Sequence, residues 1–258
     1  MAPATSISLI LSDVVGDDLQ TIASGPMSAD STTYAQALSI IEHYGIGHRL
    51  PLPVMRRLEE GRAGRVPETP KPGAPELSSA FTFLVGTNLL ALRSAGREAA
   101  RLGYSPIILT SHMAGEAREA ARVLAAVARD VASCGTPCAP PACVLAGGET
   151  TVTLRGKGRG GRNQEMAISF LAEIVKEPSL LSRVHFLSFS TDGEDGPTDA
   201  AGGFASGMLA SAVRSTGADL QRALRENDSH TFLREIGGLF ITGQTNTNVC
   251  DIQIMLVV

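Results

Sequence analysis

Arg162 follows a run dense in glycine, Gly156-Lys157-Gly158-Arg159-Gly160-Gly161, and stands just before a segment that reads as a helix over 163–175. Glycines let backbone N–H groups approach an anion, and a helix N-terminus adds about half a positive charge. A guanidinium offers a planar fork that matches carboxylate and phosphate. Arg162 is therefore a candidate catalytic or anion-holding residue. Gly158, Gly160, Gly161 and Asn163 are candidate substrate or phosphate contacts, with Glu149 and Thr150 at the start of the same loop. The plain alternative is a hairpin turn carrying solvated charges. Gly156-x-Gly158-x-x-Gly161 also fits the spacing of a dinucleotide fingerprint, but no acid stands about 20 residues further on. A Walker A pattern is absent.

Acid is concentrated in a second loop. Asp192, Glu194, Asp195 and Asp199 fall close together after an apolar strand at 184–190. Such hard oxygen ligands suit Mg²⁺ riding on phosphates, and one could act as a base toward a substrate hydroxyl. Asp192 and Asp195 are the candidate catalytic and metal-binding pair. The alternative is helix capping by Thr198 or Asp199. Asp13 and Asp17 flank Gly16 in an earlier loop that runs on to Ser24-Gly25-Pro26, and Thr245 and Asn246 sit in a later one. Each of these could contact a ligand or simply form a turn.

These loops need a scaffold. Strands are expected at 7–11, 81–85, 106–110, 142–146, 150–154, 184–190, 239–242 and 251–257. Helices are expected from Asp30-Ser31 to Gly45, and at 54–60, 88–101, 116–131, 163–175, 200–214 and 219–226, with a helical turn at 232–236. Alternation of strand and helix argues for an α/β layered, mostly parallel sheet with helices on both faces. In such sheets ligands bind beyond the carboxyl ends of the strands, where the four loops fall. The last two strands read as an antiparallel edge hairpin. The run 7–11 reads as a buried strand needing neighbours on both sides, so residues 1–60 are expected to be the remnant of a larger domain. Four prolines mark 61–80 as a linker, and 81–258 reads as a complete domain.

The chain has 258 residues, 43% hydrophobic and 19% charged, with a net charge of −4. That is globular usage, and no basic excess points to nucleic acid or an anionic membrane. The run 7–11 is too short for a signal sequence or a membrane span, which makes a cytoplasmic protein the expectation. Cys134, Cys138 and Cys143 lack the spacing and histidine of a zinc site, and with Cys250 they read as free thiols.

The strings SDVVGDDLQTIASGP, GGETTVTLRGKGRGGRNQE, STDGEDGPTDAAG, NDSHTF and ITGQTNTNVCD, in this order, resemble the animal-type two-domain glycerate kinases with their C-terminal MOFRL domain. The resemblance implies phosphorylation of D-glycerate with ATP and Mg²⁺ in a site between domains. It implies a catalytic or substrate-holding role for Arg162, with Asp192 and Asp195 in the same cleft. It also implies a functional lysine early in the N-terminal domain, with no counterpart here, so this chain is expected to have little activity. Two other readings stay open: a non-catalytic ligand- or partner-binding fragment, and an oxidoreductase with a nucleotide cofactor. A homo-oligomer is compatible with all three.

Overall fold

The computed structural model describes residues 4–258. Two compact units divide the chain: Met1–Ile10 with Asp18–Val85, and Leu11–Asp17 with Gly86–Val258. These limits differ from an expected break over 61–80. Strand β1 (Ser6–Leu11) pairs with β2 (Ala80–Gly86) in a two-stranded sheet, which ties the stretch before Gly86 to the N-terminal one.

In the first unit, Thr33 and Gln36 form a capping box that starts helix α1 (Tyr34–His43), so Thr33 caps the helix where Asp30-Ser31 was expected to. It packs on α2 (Leu52–Arg62), where a Cβ at Gly61 would sit 2.1 Å from the Tyr34 ring. Residues 61–80 are not a free linker. The Asp30 N–H donates to Pro70 O, the Thr69 hydroxyl to the Asp30 carboxylate and the Tyr34 N–H to Glu68. Hydrogen bonds from Thr32, chiefly its hydroxyl, hold the Asp30 carboxyl at about 2. Strand β1 is a strand as expected, but it is not buried. Ile7 and Leu9 are exposed, as are Phe81 and Phe83, because a two-stranded ribbon has no second layer of its own on that face.

The second unit holds α3 (Asn88–Arg101), β3 (Ser105–Met113), α4 (Ala117–Cys134), β4 (Ala142–Gly148), α5 (Arg162–Ile174), β5 (Val184–Ser190) and β6 (Gly202–Ser206). Then follow α6 (Gly207–Thr216), α7 (Leu220–Glu226), α8 (Ser229–Ile236), β7 (Leu239–Phe240) and β8 (Asp251–Val257). The strand order is β3-β4-β8-β5-β6-β7. Helices cover both faces, as expected of a layered α/β unit. Leu92 and Ala99 of α3 pack on Cys143, Leu145 and Ile252. On the other face α4 and α5 pack on Val144, Phe186, Met255 and Val257. This alternation along β4 and β8 follows from the period of two in a strand.

Strand direction departs from expectation. In the six-stranded sheet only β3 and β4 run parallel; the other four pairs are antiparallel. The reason lies in 200–214, which read as one helix. Its start is β6, because Gly202 lies so close to β5 that a Cβ would stand 1.9 Å from Ser188 O. Without a crossover helix between β5 and β6, the return strand has to be antiparallel. The expected terminal hairpin does not form either. β7 is an edge strand, and β8 inserts between β4 and β5. The strand expected at 150–154 reduces to one bridge, Glu116 with Thr151.

The Phe170 and Phe186 rings stack at 4.2 Å in the larger core, and Phe170 is fully buried. Phe170→Ala should lower unfolding stability by about 3–5 kcal/mol in a urea titration.

Candidate functional site

Three elements meet at one end of the central strands. β4 ends at Gly148, with φ 143°, where a Cβ would stand 2.3 Å from the Met113 backbone. β8 begins at Asp251, which pairs with Gly148 on one side and Ser190 on the other. α5 begins at Arg162. Asp251 is delivered by Cys250, a non-glycine residue at φ 64°. Thr191 fixes that turn: its hydroxyl donates to Cys250 O at 2.7 Å, and its Oγ1 accepts from the Val249 N–H at 2.8 Å. Burial pushes the Cys250 thiol up to about 12, so it stays protonated.

Arg162 grips Asp251 side-on. Nε donates to Oδ2 at 2.6 Å and Nη2 to Oδ1 at 2.9 Å, while Nη1 donates to Glu149 Oε1 at 2.8 Å. The fork that the sequence offered to a ligand is thus taken by an internal carboxylate. Burial works against the charge on Arg162, and the Asp251 hydrogen bonds and charge more than restore it, so its pKa stands above the ordinary value. The Asp251 side chain is 1% exposed, and burial pushes its carboxyl up to about 6 against the pull of Arg162.

Asp195, read as half of a metal-binding pair, is turned inward and buried. Both of its oxygens cap α5: Oδ1 accepts from the Asn163 N–H at 3.0 Å and Oδ2 from the Gln164 N–H at 2.9 Å. Burial raises its carboxyl, and these bonds pull it back. The positive end of α5, expected to hold a bound anion, is therefore neutralised from inside the fold. Asn163 is fully buried, donating to Asp195 and accepting from the Ser188 hydroxyl at 2.5 Å, so it is closed to ligand. The glycines have a structural reason as well. A Cβ at Gly156 would collide with Glu226, at Gly158 with Asp228, at Gly160 with Ser229 and at Gly161 with Asp195. The loop lies pressed against the α7–α8 junction, and its glycine run begins eight residues after β4 ends, not immediately after a strand as a dinucleotide fingerprint requires.

A cavity of about 790 Å³ nevertheless opens over Arg162. Glu149, Thr150, Gly158, Gly160 and Gly161 line it with Asp13, Val14, Val15, Glu165 and Asn227, all within the second unit. Thr150 is buried, and its hydroxyl has no partner among the described residues. Asp17 is not on the wall; it sits at φ 58°, its N–H on Val14 O. Ser24, at φ 61°, belongs to the first unit and lines a different cavity, of about 680 Å³. Asp192 and Asn246 line a small one of about 180 Å³. There Asp192 Oδ1 accepts from the Ser190 hydroxyl and the Glu194 N–H, while Thr245 ties Thr191 and Asp192 through their carbonyls. Among the described residues, no group of three His, Cys, Asp or Glu is placed to hold a metal.

The sequence matches models of known families over much of its length. The MOFRL family matches residues 142–251, and a domain of unknown function (DUF4147) matches residues 1–59. Glycerate 2-kinase of Pyrococcus horikoshii is 42% identical over 258 residues, covering 100% of this chain and 57% of that protein. Glycerate kinase of Macaca fascicularis is 38% identical over 292 residues, covering 98% of this chain and 72% of that one. The chain belongs to the glycerate kinase family. The crystal structure of glycerate kinase from Thermotoga maritima superposes with a TM-score of 0.86 at 39% identity, over 100% of this chain and 58% of the other. The chain thus spans little more than half the length of several glycerate kinases it matches.

Within this family member, three site residues escaped the sequence reading. Asp251 looked like a strand start. Glu165 is buried on the cavity wall and paired with Arg118, whose Nε donates to Oε1 at 2.9 Å. Asn227, at φ 53°, accepts from the Arg155 and Gly156 N–H groups and donates to Glu165. The available signal was a glutamate and an arginine on otherwise apolar helix faces.

If Asp195 is a cap, Asp195→Ala should lower stability by roughly 2 kcal/mol or more in a denaturant titration with chelator present. A loss seen only with a divalent cation added would restore the metal-ligand reading.

Proposed function

We propose that this glycerate kinase family chain serves the ATP-dependent phosphorylation of D-glycerate. The observation that carries this reading is the match to enzymes named glycerate kinase over essentially the whole chain. The cavity over Arg162 supports it. A guanidinium has five N–H donors. Three serve Asp251 and Glu149, so one on Nη1 and one on Nη2 remain for a ligand.

The charge balance of the wall favours the hydroxy acid over the nucleotide as the occupant. Asp13, Glu149 and Glu165 stand against one lining cation, Arg162, with Arg118 behind the wall paired to Glu165. A triphosphate would bring several like charges into that field, whereas glycerate brings one carboxylate and two neutral hydroxyls. Arg162 would hold the carboxylate, and Glu149 and the unpartnered Thr150 hydroxyl would meet the hydroxyls. Fixing the acceptor this way supplies the positioning on which phosphoryl transfer mainly depends.

The residues present fit Mg²⁺ only as an ion carried on nucleotide phosphates. Asp195 is committed to α5, while Asp192, like Glu194 and Asp199 in the same loop, keeps one oxygen free of hydrogen bonds among the described residues; Asp192 would serve because it leaves β5 first. The ion would supply charge neutralisation on the transferred group.

A coupled assay of ADP release with D-glycerate tests the proposal; turnover equal to that without glycerate would refute it. In an active form, Arg162→Lys should lose roughly 10²-fold in kcat/KM, about 2.7 kcal/mol, because lysine cannot both keep Asp251 and face the ligand. Asp192→Asn should raise the Mg²⁺ concentration giving half-maximal rate, and an unchanged metal dependence would reduce Asp192 to a turn residue.

A further inference from the structure

We infer that Asp251 is the positioning residue of the site: it fixes the Arg162 guanidinium so that its two remaining N–H donors serve the bound anion. This rests on the reading above that Arg162 holds the substrate carboxylate. The side-on contact uses Nε and one N–H of Nη2, at 2.6 and 2.9 Å. Such a fork fixes the plane of the guanidinium and its rotation about the side-chain axis, which a single hydrogen bond does not. The carboxylate giving this orientation is itself rigid. It is almost wholly buried at the first residue of β8, held by ladders to β4 and β5 on both sides. Its carbonyl also accepts from Asn88 Nδ2 at 2.9 Å, which ties the start of α3 to the same point.

Two further observations fit a built support rather than a surface ion pair. The left-handed Cys250 immediately before it stores backbone strain, as is found where a side chain must be aimed. The arginine is partly open and lines the cavity, while the aspartate does not line it. Asp251 therefore acts through Arg162 and does not touch the ligand.

The test is a double-mutant cycle on this chain with Arg162→Lys, Asp251→Asn and the double variant. Isothermal titration would measure the affinity of each protein for D-glycerate and for inorganic phosphate, with thermal midpoints taken alongside. Asp251→Asn keeps the shape but presents an amide to the fork, so affinity should fall about 30-fold. In the Arg162→Lys background the same change should matter less than about threefold, because there is no fork left to orient. Affinity unchanged in Asp251→Asn, or losses that simply multiply in the double variant, would overturn the inference. If Asp251→Asn does not fold, Asp251→Glu takes its place, since it keeps the charge and displaces the fork; wild-type affinity there would be equally fatal. Wild-type chain that binds phosphate but not D-glycerate would refute the substrate reading while the cycle, run on phosphate, still decides the role of Asp251. Chain that binds neither anion would overturn both.

Discussion

The contact between Arg162 and Asp251 is the constraint around which the second unit is organised. A carboxylate this deeply buried needs compensation, and Asp251 receives it from a charged, well-aligned partner, so α5 begins where Arg162 can reach it. Asp251 in turn opens the strand that separates β4 from β5. One ion pair thus links the N-terminus of a buried helix to the centre of the sheet. Displacing Arg162 would leave the Asp251 carboxylate in the interior without a charged partner.

The same economy of charge governs the rest of α5. Its free N–H groups receive Asp195, carried on the loop that turns β5 back into β6. That loop can reach the helix only because β6 returns antiparallel beside β5. Sheet direction and helix capping are therefore one fact seen twice. Further out, Thr191 and Thr245 bind the acidic loop to the segment leading into β8, so the turn that aims Asp251 and the loop that caps α5 brace each other.

Much of this was legible in the residues, and the part that was not has a common cause. Local signals were read well. The strands at Ala142–Gly148 and Val184–Ser190 and the helix after Gly161 all follow from patterns a few residues long, and Arg162 at that helix start lines a cavity. What the residues did not carry was their partners distant in sequence. The glycines of 156–161 were read as making room for a ligand, yet Glu226, Asp228, Ser229 and Asp195 occupy the space a Cβ would need. Asp195 was read as a metal ligand because four acids fall together, but acid density does not say which carboxylate is turned inward. Gly202-Gly203 in a helical frame was the one local clue against a helix there, since glycine costs about 1 kcal/mol per helical position.

Internal pairing of the obvious charges changes what the site can do. With its fork and helix dipole both satisfied from within, the region, on the proposed reading, favours an anion of low charge. It holds out two oriented N–H donors from one arginine, beside three carboxylates that disfavour a second negative charge. Selection then rests on direction more than on net field. On the proposed reading, a ligand would bring one carboxylate to the arginine and neutral hydroxyls to Glu149 and Thr150. Glu149 is the hinge of this selection, because it touches Arg162 through Oε1 while lining the cavity. It can accept from a hydroxyl without giving up the arginine, whereas an anion brought to the same place would meet its charge directly.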